Sequence, residues 1–425
     1  MNLVLARACT NSCPYCFETG ERERGKEGFI SMDNAVKLAL WARKTNLPYL
    51  SLLGGEPFLH PELGAIISLF RKTSPNTGLR ILTGGIFKNR LLENINADDA
   101  GIIFNINEPR DYRKPKHFDK VMGNVETAIR QGFRVILGFN VWRSNFDPKF
   151  MPKLAYRMAR SNFRWTVANP QRGFPSTVVS PSQYREVADR CFEMLQEAAR
   201  LKIEALLDCP LPICFFTDEQ MAWVQQYHEG TAAHMGICEP VIDVTPELEG
   251  LRCFALSKLQ RVKITDFGSE QDIIDWFHLN TDYQLMGSGC FTHCIECPHF
   301  KDGRCFGGCL AWHQGELVEG VDPPGTALAI TMQESMDAGE PIVALEKFEA
   351  ANYWARTVVP MCIAAVAASE LKRWDVAFRY ASGTHDQTDD PDLKRLAAQL
   401  LVSIPTDKFG VMETDDDIPP FVACS

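Results

Sequence analysis

Short apolar runs alternate with amphipathic stretches along the first third of this chain. Runs rich in Val, Ile, Leu and Phe predict six buried strands, at 3–8, 49–53, 79–83, 102–106, 135–141 and 165–168. Helical periodicity fills the intervals, most clearly after Ser31, a candidate N-cap that precedes apolar Ala35 and Leu38. Strand–helix alternation predicts an α/β fold with a parallel sheet. Six such units predict a partial (β/α)6 barrel, because a closed barrel needs eight.

The pattern changes twice after this barrel. Loop-forming residues at 172–182 precede a predicted helix at 183–202, and nine cysteines then fall between Cys209 and Cys309. Alanine-rich helical patterns follow, at 342–353, 360–371, 374–380 and 391–402. Their rhythm resembles stacked helix pairs such as tetratricopeptide repeats, although helices that merely cap the cysteine-rich part fit equally well. The tail at 412–425 is expected to be flexible or dependent on a partner.

We therefore predict three domains. A partial barrel occupies 1–182, a cysteine-rich domain with its bridging helix occupies 183–320, and a C-terminal α-helical region occupies 321–425. A chain of 425 residues exceeds what a single hydrophobic core usually organises, which agrees with this division.

Composition narrows the class of protein. A net charge of -10 argues against a general nucleic-acid binder, and no apolar stretch approaches the roughly 20 residues of a membrane span. The N-terminus has no secretion signal, so we expect a cytoplasmic protein without a membrane partner. A reducing cytosol does not maintain disulfides, and the 15 cysteines therefore indicate metal or cluster ligation.

The first candidate metal site follows the first predicted strand. Cys9, Cys13 and Cys16 form a CxxxCxxC motif, with Tyr15 directly before the last cysteine. Three thiolates can hold three irons of a four-iron cluster and leave the fourth iron open to another ligand. A zinc site is the alternative, but structural zinc normally takes a fourth protein ligand.

This motif resembles that of radical S-adenosylmethionine (SAM) enzymes. The resemblance implies that the open iron binds the amino and carboxylate groups of SAM, and that an electron from the cluster releases methionine and a 5'-deoxyadenosyl radical. Gly54, Gly55 and Glu56 of a GGEP sequence follow the second strand, where the family places the methionine amino group. Glycine backbone allows close approach and the carboxylate attracts the ammonium. A simple strand-ending turn is the alternative for this element.

Later strand ends supply further candidates for SAM binding, namely Thr83, Asn105, Asn107 and Asn140. The resemblance also places Tyr15 near adenine, whereas local packing of its loop is the alternative. Many relatives with an extra cluster domain carry an aspartate where this chain has Asn107. An asparagine can still hydrogen-bond a ribose hydroxyl, or it can simply form a turn.

The cysteine-rich part resembles the SPASM extension, which binds two auxiliary four-iron clusters. The resemblance groups Cys238, Cys253 and Cys309 with either Cys209 or Cys214 for one cluster. The second cluster would use Cys290, Cys294, Cys297 and Cys305. The chain departs from the family pattern because no cysteine follows Cys309 at the expected distance. Zinc-ribbon ligation is the alternative for the CxxC pair.

Three [4Fe-4S] clusters and SAM are thus the expected cofactors. Relatives of this kind mostly modify peptides, which predicts an enzyme that acts on a ribosomally made precursor peptide and takes electrons from a flavodoxin or ferredoxin. The first strand begins near Met1, so we expect a separate leader-binding protein or the C-terminal helices to hold the precursor. The alternatives are a sulfatase-maturase-like oxidation of Cys or Ser, a small-molecule dehydrogenase or cyclase, and a non-enzymatic electron carrier or zinc protein.

Overall fold

The computed structural model describes residues 1–11, 13–17, 28–169, 178–179, 181–257, 259–286, 290–314, 326–351, 358–388 and 390–405. The chain forms two compact units. Unit 1 comprises 1–282 and 307–316, and unit 2 comprises 283–306 and 317–425. The three-domain division at 182 and 320 stays a prediction.

A sheet of parallel strands forms the centre of unit 1. Its strands are β1 (Asn2–Ala6), β2 (Tyr49–Gly54), β3 (Gly78–Thr83), β4 (Gly101–Asn105), β5 (Val135–Val141), β6 (Asn162–Val167) and β7 (Glu204–Leu207). Each strand pairs in parallel with the next in chain order. All six predicted strands are present, and the α/β prediction with a partial barrel is confirmed.

Helices cover this sheet where the apolar periodicity predicted them. They are α1 (Met32–Lys44), α2 (Leu63–Thr73), α3 (Pro115–Arg130), α4 (Phe150–Arg157) and α5 (Tyr184–Arg200). Helix α1 begins as expected, because the Ser31 hydroxyl accepts the backbone N–H of Asn34 at 3.2 Å. Its apolar face, which includes Ala35 and Leu38, is fully buried.

Short strands extend the sheet beyond β1. Strands β8 (Asp243–Val244), β9 (Glu249–Leu251) and β10 (Arg261–Lys263) complete the order β10-β9-β8-β1-β2-β3-β4-β5-β6-β7. Strand β8 pairs in parallel with β1, while β9 pairs in antiparallel fashion with both β8 and β10. The cysteine-rich part of unit 1 therefore shares a hydrogen-bonded sheet with the barrel.

Three further helices of unit 1 follow β7 in the chain, namely α6 (Asp218–Tyr227), α7 (Glu229–Ala232) and α8 (Glu270–Phe277). Helix α6 begins with a reciprocal capping box between Thr217 and Gln220.

Unit 2 is helical over its described residues. Its helices are α9 (Tyr283–Met286), α10 (Pro298–Lys301), α11 (Thr326–Asp337), α12 (Pro341–Ala350), α13 (Val358–Glu370), α14 (Trp374–Gln387) and α15 (Pro391–Ser403). Met332, Leu345, Phe348 and Met361 belong to one buried core among these helices. Helices α12 to α15 confirm the four predicted helical segments over their described residues, whereas α11 was not predicted; positions 352 and 353 of the first segment lie outside the described residues. The tail at 412–425 lies outside the described residues.

Within the described part of the chain, no helix is both long and apolar enough to cross a bilayer.

Candidate active site and cysteine clusters

The CxxxCxxC motif forms a loop at the carboxyl end of β1. The backbone N–H of Cys16 donates to the carbonyl of Cys13 at 3.1 Å, which turns the loop back on itself. Asn11 holds two of the sulfurs, because its side-chain amide lies 3.2 Å from Cys13 Sγ and its backbone N–H lies 3.4 Å from Cys9 Sγ. All three cysteines are half-buried. The loop thus gathers three thiols at one partly open position.

Mutual repulsion among these thiols shows how close they lie. Burial raises the pKa of Cys13 to about 12, and the neighbouring thiolates of Cys16 and Cys9 contribute to this rise. Without a cation Cys13 therefore keeps its proton. Iron cations would reverse that preference, since a metal-bound thiol loses its proton.

The GGEP element packs directly against this loop. The backbone N–H groups of Gly55 and Glu56 donate to the carbonyls of Ala6 and Ala8, at 2.6 and 2.9 Å. A Cβ on Gly55 would lie 2.2 Å from the Ala8 carbonyl oxygen, which no side chain tolerates. Gly54 has a φ of +130°, a conformation that favours glycine. Close contact between the two motifs therefore requires both glycines.

The Glu56 carboxylate is buried and engaged within the protein. The Thr83 hydroxyl, at the end of β3, lies 2.8 Å from each of its oxygens, and the Phe58 backbone N–H lies 3.2 Å from Oε1. Burial raises the pKa of Glu56 to about 7, although these hydrogen bonds oppose the shift. A carboxylate has about four acceptor positions, so it can still accept a ligand N–H.

Polar side chains from β4 and β5 continue this edge of the sheet. The Tyr15 hydroxyl donates to Asn107 Oδ1 at 2.5 Å, and the Asn107 backbone N–H donates to the Tyr112 hydroxyl at 3.1 Å. The Asn140 amide donates to Asn105 Oδ1 at 2.9 Å. The structure therefore brings Tyr15 to Asn107, and Asn105 to Asn140, at consecutive strand ends. This is the edge at which parallel sheets usually carry their ligands.

A second set of cysteines lies together in unit 1. Cys209, Cys238, Cys253 and Cys309 come from four separate segments, yet each thiol influences the others. A hydrogen bond between Cys309 and Cys238 lowers the pKa of Cys238 to about 6 and raises that of Cys309. Burial raises the pKa of Cys209, and the charges of Cys238 and Cys253 add to the effect. We call these four residues the first auxiliary set.

Cys214 occupies a different position from Cys209. It is exposed in a short 3-10 turn, Ile213–Phe215, whereas Cys209 lies with the other three members of the first auxiliary set. The electrostatic interactions of Cys209 with those three thiols make it the candidate fourth member of the set.

Aromatic stacking joins the loop of Cys16 to the first auxiliary set. Phe17 follows Cys16, Phe254 follows Cys253, and their rings stack with centroids 4.1 Å apart. The two cysteine-bearing segments therefore touch through their neighbouring side chains.

Four further cysteines, at positions 290, 294, 297 and 305, belong to unit 2. Cys294 and Cys305 are buried there, and Cys290 and Cys297 are half-buried. A hydrogen bond to Cys290 lowers the pKa of Cys294 to about 6. The backbone N–H of Cys297 donates to the carbonyl of Cys294 at 3.0 Å, so the CxxC pair forms a tight turn. We call these four residues the second auxiliary set.

The donor chemistry of the three sets fits iron-sulfur clusters. Each set is made of cysteine sulfurs, the usual ligands of such clusters, and a four-iron cluster uses a separate iron atom for each thiolate. Among the described residues, no group of three or more His, Cys, Asp or Glu side chains is arranged to hold one metal ion.

The sequence did not reveal the two paired charged residues, one of which contacts a cysteine of the first auxiliary set. Arg252 precedes Cys253 in the chain, and its fully buried side chain contacts Cys238 and Asp282. A lone arginine between an apolar strand and a cysteine was the available signal. Its partner Asp282 lies 30 residues away and gave none.

Comparisons with known proteins agree with this geometry. Residues 3–142 match the Radical SAM superfamily, so this part of the chain is a radical SAM domain. The GTP 3',8-cyclase of Tolumonas auensis is 27% identical over 146 residues, which cover 32% of this chain and 42% of that protein. The GTP 3',8-cyclase of Shewanella denitrificans is 31% identical over 144 residues, which cover 31% of this chain and 41% of that protein. The chain thus spans less than half the length of these relatives.

Solved structures share the fold over more of the chain. Streptococcus suis SuiB bound to S-adenosylmethionine has a TM-score of 0.50 at 12% identity, covering 73% of each chain. A tagged form of anSMEcpe with bound AdoMet has a TM-score of 0.53 at 13% identity, covering 93% of this chain and 98% of that one. Native anSMEcpe with AdoMet and the Cp18Cys peptide has a TM-score of 0.54 at 12% identity, covering 79% and 96%.

Proposed function

We propose that this protein is a radical SAM enzyme that modifies a ribosomally made precursor peptide. The observation that carries the proposal is the meeting of Cys9, Cys13 and Cys16 with Gly55 and Glu56 at one end of a parallel sheet. When bound, a four-iron cluster at this position would supply the electron that cleaves SAM and yields a 5'-deoxyadenosyl radical.

The chain's own residues would hold and orient the cofactors. Cys9, Cys13 and Cys16 would ligate three irons. Gly54 and Gly55 let the end of β2 pack against the cysteine loop, and Glu56 would accept hydrogen bonds from the amino group of the methionine moiety. The polar side chains that reach the rest of SAM would be Tyr15, Thr83, Asn105, Asn107 and Asn140.

Two auxiliary clusters complete the proposed cofactor content. The first auxiliary set would hold one through Cys209, Cys238, Cys253 and Cys309, because these four thiols lie within mutual influence. The second auxiliary set would hold the other through Cys290, Cys294, Cys297 and Cys305. A flavodoxin or ferredoxin would supply electrons, and a separate leader-binding protein or the C-terminal helices would hold the precursor in a cytoplasmic setting.

A peptide substrate is favoured by the likeness of fold, since anSMEcpe has been solved with a peptide and shares the fold over 79% of this chain. Mass spectrometry of a short peptide encoded beside the gene and co-expressed with the enzyme tests this choice. We expect a mass change that requires the enzyme. An unmodified peptide would argue against the peptide substrate.

Cofactor cleavage is tested separately from the substrate. After anaerobic reconstitution with iron and sulfide, SAM and a reductant should yield 5'-deoxyadenosine in the wild type and none in Cys13→Ala. Cys191→Ala is the matched control, because Cys191 is buried in helix α5 and burial alone, with no contribution from another thiol, raises its pKa. Cys297→Ala should keep some cleavage and lose the product. Cleavage retained in Cys13→Ala would refute the assignment.

A small-molecule cyclase is the second candidate function. The matches to GTP 3',8-cyclases over about the first third of the chain favour it. Consumption of GTP by the reconstituted enzyme without a peptide would support this candidate over the first.

A further inference from the structure

A fully buried arginine contacts a cysteine of the first auxiliary set. The Arg252 side chain is about 2% exposed and lies between the end of β9 and Cys253. Charged side chains are almost never buried to this degree unless they are paired. Its partners therefore indicate what the residue does.

The guanidinium divides its N–H groups between a carboxylate and a cysteine. Nε and Nη2 donate to the two oxygens of Asp282, at 2.9 and 3.0 Å. Nη1 donates to Cys238 Sγ at 3.3 Å, and Nη2 also donates to the Cys238 carbonyl at 2.7 Å. The guanidinium thus holds both the sulfur and the backbone carbonyl of Cys238, a candidate cluster ligand. Arg252 also directly precedes a second candidate ligand, Cys253, in the chain.

Asp282 is oriented in turn by a third residue. His278 Nδ1 lies 3.0 Å from Asp282 Oδ2, and both residues belong to a single π-helical turn, His278–Asp282. Turns of the π-helical type are rare in proteins, and those that do occur are often found at functional sites. The carboxylate that holds the guanidinium is therefore itself held in place, so that the N–H aimed at Cys238 has a fixed direction.

Stability alone explains this arrangement poorly. Burying two charges costs so much solvation that replacing such a pair by apolar residues is often neutral or stabilising. What an apolar pair could not provide is a permanent positive charge and an N–H donor on a cysteine sulfur, because arginine keeps its proton in proteins.

We propose that Arg252 sets the reduction potential of the cluster held by the first auxiliary set, through its hydrogen bond to Cys238 Sγ. This inference rests on the proposed function. Hydrogen bonds to ligand sulfurs and nearby positive charge favour the reduced cluster, which carries one more negative charge. Arg252 is a positioning residue that acts through Cys238.

The test is a redox titration followed by electron paramagnetic resonance on the full-length protein. Cys9, Cys13 and Cys16 are replaced by alanine, so that the signals come from the two auxiliary sets. Cys238→Ser in this background identifies the signal of the first set. Arg252→Met should shift that signal to a more negative potential. Asp282→Asn should shift it to a more positive one, because the arginine then lacks its neutralising carboxylate.

Opposite shifts distinguish this role from a structural one, which would move both variants in the same direction. Arg261→Met is the matched control, since Arg261 donates to Glu249 at 3.0 Å in the same hairpin of β9 and β10. In Arg261→Met, the cluster of the first auxiliary set should keep the reduction potential that it has in the parent protein, in which Cys9, Cys13 and Cys16 are replaced by alanine. Should Arg252→Met fail to fold, Arg252→Lys replaces it, and a more negative potential is again expected because one ammonium cannot contact both Asp282 and Cys238.

Two failures are separable. A parent protein that binds no iron after loss of Cys9, Cys13 and Cys16 would overturn the auxiliary clusters of the proposed function, and this inference with them. Iron retained at an unchanged potential in Arg252→Met, or in Arg252→Lys where that variant is used, would overturn only the role of Arg252.

Discussion

We expect Glu56 to make SAM binding sensitive to pH, because its carboxylate is proposed to accept hydrogen bonds from the amino group of SAM. Its buried carboxyl has a pKa of about 7, so it is largely protonated below that pH and no longer attracts an amino group. We expect the affinity of the reconstituted protein for SAM to fall as pH drops from 8 to 6, by up to about tenfold per pH unit below the pKa. Equilibrium dialysis over this range measures the effect.

Thr83 supplies the control for this prediction. Its hydroxyl lowers the pKa of Glu56, so Thr83→Val should move the midpoint of the binding curve to higher pH. Glu56→Gln should bind weakly without this pH dependence. Equal affinity of the wild type at pH 6 and pH 8 would contradict the role given to the carboxylate.

Gly54 shows how tightly the two motifs are packed. A Cβ there would lie 2.2 Å from the Ala6 carbonyl oxygen, and the residue has a φ of +130°. Gly54→Ala should therefore lower the free energy of unfolding by about 2–4 kcal/mol. Urea denaturation followed by circular dichroism measures this change.

Gly123→Ala is the matched control for this glycine. Gly123 lies inside helix α3, and a Cβ added there would have no heavy atom within 4 Å outside its own helix turn, so alanine should stabilise the protein by about 0.5–1 kcal/mol. Wild-type stability of Gly54→Ala would show that the loop and the strand end can separate freely.

Sequence reasoning worked for residues whose neighbours lie close by in the chain. The spacing of Cys9, Cys13 and Cys16 was readable because one loop carries all three. The hydrogen bonds between Tyr15 and Asn107, or between Arg252 and Asp282, join residues far apart in sequence, and nothing in either segment identifies the other.

At the level of elements, a buried histidine accepts a backbone hydrogen bond from β7. The Ala205 backbone N–H donates to His228 Nδ1 at 3.2 Å, and the other ring nitrogen lies 2.8 Å from the Leu195 carbonyl. Nδ1 must therefore accept and Nε2 must carry the proton, which describes a neutral ring. Burial accordingly lowers the pKa of His228 below its usual value.

The lowered pKa of His228 predicts that the folded protein loses stability in acid. Below about pH 6.5 the unfolded chain binds a proton that the folded ring resists, so the His228 contribution to folding falls as pH drops through that value. Urea midpoints of the wild type and His228→Gln, measured from pH 5 to 8, should converge at low pH. His234→Gln is the control, because His234 is exposed and its loss should leave the wild-type profile unchanged. A constant difference between wild type and His228→Gln would contradict this prediction.

Element length explains which strands were predictable. Strands β1 to β6 have five to seven residues and showed apolar runs. Strand β7 has four residues and begins with exposed Glu204, while β8, β9 and β10 have two or three. A segment this short cannot display a periodicity, so its pairing partner decides its conformation.

At the level of the whole molecule, eleven of the 15 cysteines form the three proposed sets, which should bind iron independently. Cys13→Ala, Cys209→Ser and Cys294→Ala should each lower the iron content by about four atoms per chain, because each breaks one proposed four-iron cluster. Anaerobic reconstitution and a colorimetric iron assay measure this loss.

Cys214→Ser is the matched control for Cys209→Ser. Cys214 is exposed and is not one of the four residues proposed to hold the first auxiliary cluster, so its replacement should leave the iron content at the wild-type level. Iron lost in Cys214→Ser and retained in Cys209→Ser would reverse the choice between these residues. The sequence left that choice open because only the fold brings Cys209 to Cys309, 100 positions further along the chain.

The pairing of β8 with β1 restricts how this protein could be divided or recombined. Asn2 and Leu3 of β1 lie opposite Asp243 and Val244 of β8, so a shortened chain that ends before Asp243 would leave one side of β1 with unpaired backbone groups. Exposed strand edges of that kind promote aggregation. A chimera with a relative should therefore exchange the hairpin 243–263 together with the barrel, so that β1 and β8 come from the same protein.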